Sequence, residues 1–385
     1  MSLPVSIVSL GSFSPLGSTP NEVWESYLNK GSLIRNKVIG DKPVAVSSLT
    51  AQQISDVQSL RESDAKYKFL DDSVLYAILA SRSAVKQAGW KVPSVFGINI
   101  GSSRGATGLF EQHHAEFITT GKSAVQSSPA TTLGNISSWV AQDLTSAGPD
   151  ISHSITCSTA LHALLNGVAW LRSGMADKFL IGGSEAPLTP FTIAQMQAMK
   201  IYSHIEGDYP CRAMDLGKTA NTMVLGEGAA SVCLEIGKVP NAIAYIDGVG
   251  YATEMLQHSA SISANADCLQ RSMQMALEGI DPKDIDAIVM HAPGTIKGDL
   301  SEYNAIRKVF GNELPLLTGN KWKIGHTFGS SGLLSLELAI LMIKHNRFIG
   351  EPFMDGQHDL QRPIKKVLVN AVGFGGNAVS VVAGI

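Results

Sequence analysis

One cysteine lies where a protein can make a nucleophile. Cys157 stands in the segment Ser-Ile-Thr-Cys-Ser-Thr-Ala-Leu, and an amphipathic helical pattern follows it to about Ser173. The unpaired N–H groups and the dipole of a helix N-terminus favour negative charge, so a thiol there is expected to have a lowered pKa and to act as a nucleophile. Most free cysteines are small buried hydrophobic residues instead, and the spacing alone leaves both interpretations open.

Two histidines lie in turns that could bind a substrate. His291 follows a strand-like run that ends at Met290, and open α/β sheets bind ligands at such carboxyl ends. His326 lies in the glycine-rich turn Gly-His-Thr-Phe-Gly-Ser-Ser-Gly, and Lys321 precedes it by five residues. Taken singly, each histidine fits a hydrogen-bonded structural role at least as well as a catalytic one.

A fourth segment, Gly-Phe-Gly-Gly at 373–376, follows a strand-like run near the C-terminus. Consecutive glycines let a backbone approach a ligand closely and present N–H groups, as an oxyanion hole requires. A plain loop between two strands has the same composition.

Short β-type runs and longer helical patterns alternate along the chain and would position these residues. The predicted strands are Val5 to Leu10, Phe96 to Ile100, Lys178 to Ile181, Ala229 to Leu234, Ala242 to Val249, Ala287 to Met290, Lys366 to Asn370 and Val379 to Val382. The predicted helices are Asp71 to Gln87, Ala160 to Ser173, Asn265 to Leu277 and Leu333 to Lys344. This alternation favours an α/β fold with buried sheets.

The composition excludes several classes of protein. Only 16% of the 385 residues are charged, against about 25% in an average soluble protein. This small charged fraction, together with the 37 glycines, argues against a disordered chain or a coiled coil. A net charge of −3 gives no general attraction to nucleic acid or anionic lipid, so we expect neither as a partner.

The cysteines and the hydropathy pattern bear on location. The four cysteines form no C-x-x-C pair and no cluster with histidine, so neither a structural zinc nor a disulfide framework is expected. The N-terminus lacks a secretory pattern, and no run approaches 18 apolar residues. We expect a soluble cytoplasmic protein.

A weak sequence similarity within the chain is compatible with an internal duplication. The softest boundary is near Pro240, and the run that follows it resembles the first strand-like run at Val5. This similarity could reflect two similar halves, or it could be due to chance.

Taken together, these segments resemble the β-ketoacyl-acyl-carrier-protein synthases, the elongating condensing enzymes of fatty-acid and polyketide synthesis. The order Cys157, His291, Lys321, His326 and then Gly-Phe-Gly-Gly is similar to that family's. Three further segments resemble it: the opening at 7–17, Ile-Gly-Gly-Ser-Glu-Ala at 181–186, and Arg-Ala-Met-Asp at 212–215 followed by Val-Leu-Gly-Glu-Gly at 224–228. The similarity covers nearly the whole chain.

The resemblance implies a thiolase-like five-layered αβαβα fold of two similar halves, here 1–239 with the cysteine and 240–385 with the histidines and the lysine. It implies a homodimer, or a heterodimer with a related subunit, that works with an acyl carrier protein and needs no cofactor and no metal.

The resemblance also implies the role of each site residue. Cys157 would hold the acyl chain as a thioester, and the two histidines would bind and polarise the malonyl thioester. Lys321 would support this site, and the backbone N–H groups of Cys157 and Phe374 would form the oxyanion hole. Three further residues are implied in support: Thr295 for the carrier arm, and Asp299 and Glu302 as acidic residues.

The chain departs from the family pattern at two places. After His291 it has Ala-Pro-Gly-Thr where the family has Gly-Thr-x-Thr, so that Pro293 replaces the first threonine. A shifted alignment would put Pro293 at the histidine position, but the spacings from Asp286 and to Asp299 favour His291. Nine residues after His326 the family commonly has a glutamate, and this chain has Ser335.

The leading hypothesis is a 3-oxoacyl-[acyl-carrier-protein] synthase that extends a thioester held on Cys157. Two alternatives are a non-elongating acyltransferase relative and a non-catalytic chain-length-factor subunit. The presence of all four catalytic-type residues argues against the subunit, because such subunits typically lose the cysteine.

Overall fold

The computed structural model describes residues 3–133, 135–255, 262–354 and 363–385. Its strands are β1 (Val5–Phe13), β2 (Arg35–Ile39), β3 (Lys42–Ser47), β4 (Gly97–Gly101), β5 (Asp150–Ile151), β6 (Lys178–Glu185), β7 (Leu225–Gly226), β8 (Gly228–Ile236), β9 (Ala244–Thr253), β10 (Ala287–Val289), β11 (Leu316–Thr318), β12 (Lys366–Gly373) and β13 (Asn377–Gly384).

The helices alternate with these strands. They are α1 (Pro20–Leu28), α2 (Ala51–Ser63), α3 (Asp72–Ala88), α4 (Thr107–Thr120), α5 (Ser127–Thr131), α6 (Asn135–Asp143), α7 (Thr159–Arg172), α8 (Pro190–Ala198), α9 (Asp267–Ala276), α10 (Ile296–Phe310), α11 (Lys321–Ile324) and α12 (Ser331–His345).

Ten strands form one continuous sheet with a repeated topology. The order is β11-β10-β12-β13-β9-β1-β8-β6-β4-β5, and the two five-stranded halves meet where β9 pairs with β1. In each half the first strand pairs antiparallel with the last, the last pairs antiparallel with the fourth, and the other two pairings are parallel. The division into two similar halves near Pro240 stays a prediction, and this repeat supports it.

The helices pack in three layers around the two halves. The middle layer is α7 and α12, which contact each other and lie between the β6 side and the β12 side of the sheet. α3 covers the outer face of the first half, and α9 covers that of the second. The predicted α/β fold with five layers is therefore confirmed.

The middle layer explains the scarcity of charge. Every residue of α12 from Ser331 to Ile343 is buried, because sheets lie on both sides of this helix. A helix covered all round is apolar all round, whereas a surface helix would carry a charged stripe.

The twelve predicted elements are all present, with boundaries that differ by one to three residues at most ends. The elements that the pattern missed include the two-residue strands β5 and β7 and the exposed strand β2, but also the longer helices α4 and α10. β5 and β7 pair with strands distant in sequence, which a local pattern does not contain.

Candidate active site

Six of the predicted site residues line one cavity. It has a volume of about 420 Å³ and is bordered by Phe374, Thr295, Glu302 and the three candidate catalytic residues Cys157, His291 and His326. Each comes from a different turn: Cys157 from the turn before α7, His291 from the turn after β10, and His326 from the turn before α12. Packing of the two halves on either side of α7 and α12 brings these turns together.

Cys157 is buried at the start of α7, and its thiol pKa is not lowered. Only 5% of the residue is exposed, and burial raises the pKa of the thiol to about 12. The Glu185 carboxylate adds to this rise, whereas the charges of Lys321 and Arg104 oppose it. The expected lowering by the helix N-terminus is therefore wrong, because removal of the thiolate from water outweighs the favourable charges.

The two histidines face each other edge to face. Their ring centroids are 5.2 Å apart, with an interplanar angle of 83°. Burial lowers the pKa of His326 to about 3 and that of His291 well below its ordinary value, and Lys321 lowers both further. Both imidazoles are therefore neutral near pH 7, and a neutral imidazole has one N–H to donate.

Lys321 begins the short helix α11 and is almost completely buried. Its Nζ donates to Ser335 Oγ at 3.1 Å. Burial lowers the pKa of Lys321 to about 8, while the carboxylates of Glu302 and Glu351 favour its charged form. The serine at position 335 thus takes up one donor of the lysine, but it supplies no charge.

Glu302 and Asp299 hold the turn that carries His291. Glu302 accepts hydrogen bonds from the backbone N–H groups of His291 at 2.9 Å and Ala292 at 2.8 Å. Asp299 accepts from the backbone N–H of Gly294 at 2.9 Å and pairs with the buried ammonium of Lys218 at 2.7 Å. Both carboxylates lie on α10, so this helix fixes the position of His291 relative to the cavity.

The Gly-Phe-Gly-Gly turn lies against the cysteine. A Cβ on Gly373 would be 1.9 Å from Thr156 Oγ1 and 3.1 Å from the backbone N of Cys157. Thr156 Oγ1 also donates to the carbonyl oxygen of Phe374 at 3.2 Å. Glycine at 373 is what lets the two backbones approach, as the predicted oxyanion hole requires.

Thr295 lines the cavity and also begins α10. As the N-cap residue of that helix it accepts a hydrogen bond from Gly298 N at 3.1 Å. The start of α10 therefore lies at the border of the cavity.

Two residues close to the thiol were given no role from the sequence. Glu185 is fully buried, and its carboxylate accepts hydrogen bonds from the backbone N–H groups of Ser103, Arg104 and Gly329. Burial raises the pKa of Glu185 to about 7. Arg104 lies over the ring of Phe328, with its guanidinium carbon 5.8 Å from the ring centre, and this ring borders the cavity. A sequence shows neither contact, because both join distant segments.

Three of the eight non-glycine residues with positive φ among the described residues lie beside the candidate catalytic residues. Thr156, Ala292 and Phe328 have positive φ angles of 46°, 24° and 43°, which residues other than glycine rarely adopt. Each lies within two residues of a cavity residue, and each such conformation costs on the order of 1–3 kcal/mol. The surrounding hydrogen bonds therefore hold these turns in conformations that the local sequence would avoid.

Models of two protein domains match almost the whole chain. The model of the beta-ketoacyl synthase N-terminal domain matches residues 2–238, and that of the beta-ketoacyl synthase C-terminal domain matches residues 234–350. The chain belongs to the beta-ketoacyl synthase family. It is thus an acyl-transferring condensing enzyme.

Individual relatives agree with this family. The chain is 29% identical to the 3-oxoacyl-[acyl-carrier-protein] synthase 2 of Staphylococcus aureus, over 97% of this chain and 99% of that protein. It is 27% identical to the protein of the same name from Coxiella burnetii, over 97% and 96% of the two chains.

Solved structures share the fold. A beta-ketoacyl synthase from Burkholderia phymatum superimposes with a TM-score of 0.85 at 22% identity, over 100% of this chain and 99% of that chain. The ishigamide ketosynthase/chain length factor gives the same TM-score at 19% identity and the same coverage. The thiolase-like architecture expected from the sequence is confirmed.

The segments that resembled the beta-ketoacyl synthases hold loops together. His326 N donates to the carbonyl of Val224 at 2.6 Å, and Gly226 N donates to the carbonyl of His326 at 3.1 Å. The Val-Leu-Gly-Glu-Gly segment thus fixes the backbone of a cavity histidine. Glu185 in the Ile-Gly-Gly-Ser-Glu segment similarly ties the turn after β4 to the turn before α12.

Proposed function

We propose that the protein is a 3-oxoacyl-[acyl-carrier-protein] synthase that condenses malonyl-carrier with an acyl group held on Cys157. The observation that carries this proposal is the meeting of Cys157, His291 and His326 in one cavity. A nucleophile beside two neutral hydrogen-bond donors is what a carbon–carbon bond-forming acyl transfer needs.

In the first step Cys157 accepts the acyl group. The sulfur attacks the thioester carbonyl of the acyl-carrier, and the carrier thiol leaves with the proton that the cysteine gives up. The N–H groups of Cys157 and Phe374 would stabilise the negative oxygen of the tetrahedral intermediate. The close contact of Gly373 with Thr156 and Cys157 supports this placement of the loop.

In the second step the two imidazoles stabilise an enolate. The malonyl group loses CO₂, and the electron pair of the broken carbon–carbon bond moves toward the thioester oxygen, which accepts hydrogen bonds from His291 and His326. The enolate carbon then attacks the acyl carbonyl on Cys157, and the cysteine sulfur leaves. Both imidazoles must be neutral with an N–H directed to the oxygen, which agrees with their lowered pKa values.

Lys321 would provide positive charge near the developing enolate. The low polarity of its surroundings makes this charge more effective than it would be in water. Thr295, at the start of α10, would bind the arm of the carrier as it enters the cavity.

The partners follow from this reaction. An acyl carrier protein delivers both substrates, and we propose a homodimer as the working unit. Within the described residues, α4 exposes Phe110, Phe117 and Ile118, which lie on one face of the helix at positions i, i+7 and i+8. A second copy of the chain would cover such an apolar face.

The expected location stays a prediction. Among the described residues no helix is both long enough and apolar enough to cross a membrane.

Purified protein, acyl-carrier and [1-¹³C-malonyl]-carrier test the proposal. The expected result is a 3-oxoacyl-carrier product with release of one CO₂ per condensation, and His291→Ala should abolish the CO₂ release. An acyltransferase would load Cys157 without releasing CO₂, and a chain-length-factor subunit would do neither, so either outcome would refute the proposal.

A further inference from the structure

A buried carboxyl group that no motif accounts for lies beside the turn that carries Lys321. Glu351 follows α12 by six residues, and only 5% of it is exposed. A Cβ on Gly319 would be 2.7 Å from Glu351 Oε1, so the carboxyl group is packed against the backbone two residues before Lys321. Thr318 Oγ1 donates to the carbonyl of Ile349 at 2.6 Å and fixes this segment to the end of β11.

Both carboxyl oxygens of Glu351 lack a hydrogen-bond partner among the described residues. Buried polar groups without partners are rare, and a buried carboxyl group without a hydrogen bond is costly. Such a group is retained in a folded chain mainly where its charge or its proton has a use.

The charges around Glu351 belong to the active-site support. Four groups act on it electrostatically: the ammonium groups of Lys321 and Lys218 and the carboxylates of Asp299 and Glu302. Glu351 in turn acts on Lys321 and on the buried thiol of Cys211. These four groups are two cations and two anions, so their charges balance without Glu351. Glu351 can therefore carry either a proton or a negative charge close to the lysine.

We propose that Glu351 is a positioning residue that keeps Lys321 charged as the pH rises. Its ionised carboxylate, packed against the turn that carries Lys321, would favour the ammonium form of the lysine. Ser335 accepts a hydrogen bond from the same ammonium group but is uncharged. The negative charge that stabilises the ammonium group therefore comes from the carboxylates of Glu302 and Glu351.

The direction of the effect follows from the charges. Burial raises the pKa of Glu351 and lowers that of Lys321 to about 8, so the pKa values of the two groups lie closer together than they would in water. Once ionised, Glu351 favours the ammonium form of Lys321. Removal of this carboxyl group should therefore lower the pKa of Lys321 and shorten the alkaline end of the active range.

The test compares Glu351→Gln with the wild-type enzyme by the pH dependence of CO₂ release from malonyl-carrier. We expect the alkaline midpoint to move down by about half a pH unit or more, which lowers the rate roughly twofold at pH 8 and roughly threefold well above the midpoint. The rate should change least at the acid end of the range, where Glu351 is protonated and glutamine replaces a neutral group of similar shape. Glu351→Asp should restore part of the alkaline range.

Glu337→Gln is the matched control. Glu337 is also a buried carboxyl group with one oxygen that has no partner among the described residues, and its pKa is raised to about 7. It accepts a hydrogen bond from Ser12 Oγ at 2.6 Å, and the carboxylates that act most strongly on Lys321 are Glu302 and Glu351 instead. This variant should keep the wild-type pH profile even if it lowers the thermal midpoint.

A purely structural role would give a different pattern. If Glu351→Gln lowers the thermal midpoint but its pH profile coincides with that of the wild type, the proposal is wrong.

The role of Glu351 rests on the proposed function only through the measurement of CO₂ release. The pH dependence of Cys157 alkylation by iodoacetamide is a second readout, because Lys321 also favours the thiolate. If the wild type releases no CO₂ but Glu351→Gln slows alkylation at alkaline pH, the proposed function fails and the role of Glu351 stands; unchanged alkylation would refute that role as well.

Discussion

At the scale of single residues, the site uses burial to set protonation states. Burial keeps the Cys157 thiol and both imidazoles uncharged near pH 7, and it brings Lys321 to a pKa of about 8. A free enzyme with a protonated thiol is less prone to oxidation or alkylation than one with an exposed thiolate. Reactivity would then depend on a bound thioester that places its carbonyl carbon next to the sulfur.

These states predict a one-sided pH profile for CO₂ release. Protonation of His326 is displaced to about pH 3, so no loss of activity from this imidazole is expected between pH 5 and 7. Above this range the rate should fall as Lys321 loses its proton near pH 8. Stopped-time assays of CO₂ release from pH 5 to 9.5 check this expectation. A sharp acid limb near pH 6.5 would mean that the imidazoles are not buried as described.

The site residues could be predicted from the sequence, but their protonation states could not. Cys157 could be selected from its place before a helical pattern, and His291 and His326 from their glycine-containing turns, because these are local features. The raised thiol pKa depends on burial and on Glu185, which lies in another strand. The place of Glu351 depends on how the segment after α12 packs, and no spacing rule contains that.

At the scale of elements, the turns are held by bonds between segments that are distant in sequence. α10 holds the His291 turn through Asp299 and Glu302, β7 holds His326, and Glu185 in β6 ties two loops together. Twelve strands and helices could be predicted from hydrophobic period, since burial on both sides imposes apolar runs. The short strands β5 and β7 could not, because two residues carry no period.

The contact between the Gly373 turn and Cys157 can be tested directly. Gly373→Ala would place a methyl group 1.9 Å from Thr156 Oγ1 and 3.1 Å from the backbone N of Cys157. The Thr156 side chain must then move and release the carbonyl of Phe374, and the Cys157 backbone must shift by a few tenths of an ångström. We expect acylation of Cys157 and condensation to fall by at least about tenfold, as a displaced oxyanion donor would cause. Gly217→Ala is the matched control, because its Cβ would meet only Asp215 Oδ1 at 3.4 Å. Equal rates for the two variants would contradict the proposed oxyanion hole.

At the scale of the whole molecule, the low charge content reflects the layering. Two five-stranded halves with the same strand order enclose α7 and α12, and such a middle layer has no room for charged surface. The alternation of strands and helices predicted buried sheets, and the five layers followed only from the resemblance to the family. The topological repeat was only weakly visible in the sequence, since the two halves share strand directions rather than residues.

The apolar face of α4 predicts the oligomeric state. If a second copy covers it, Phe117→Asp should weaken the dimer, because a carboxylate would be buried in the interface without a partner. Analytical ultracentrifugation should show a dimer for the wild type and a larger share of monomer for the variant at the same concentration. Val38→Asp, on the exposed strand β2, serves as the control and should remain dimeric. A wild type that is monomeric at micromolar concentration would contradict the proposed homodimer.

The assignment of Cys157 as the acyl acceptor is the central claim, and intact-protein mass spectrometry tests it most directly. Incubation with acyl-carriers of several chain lengths should add one acyl mass to the wild-type protein and none to Cys157→Ala. The alanine variant should still release CO₂ from malonyl-carrier, because His291, His326 and Lys321 remain in place. An acyl adduct on Cys157→Ala, or 3-oxoacyl product made by that variant, would contradict the account.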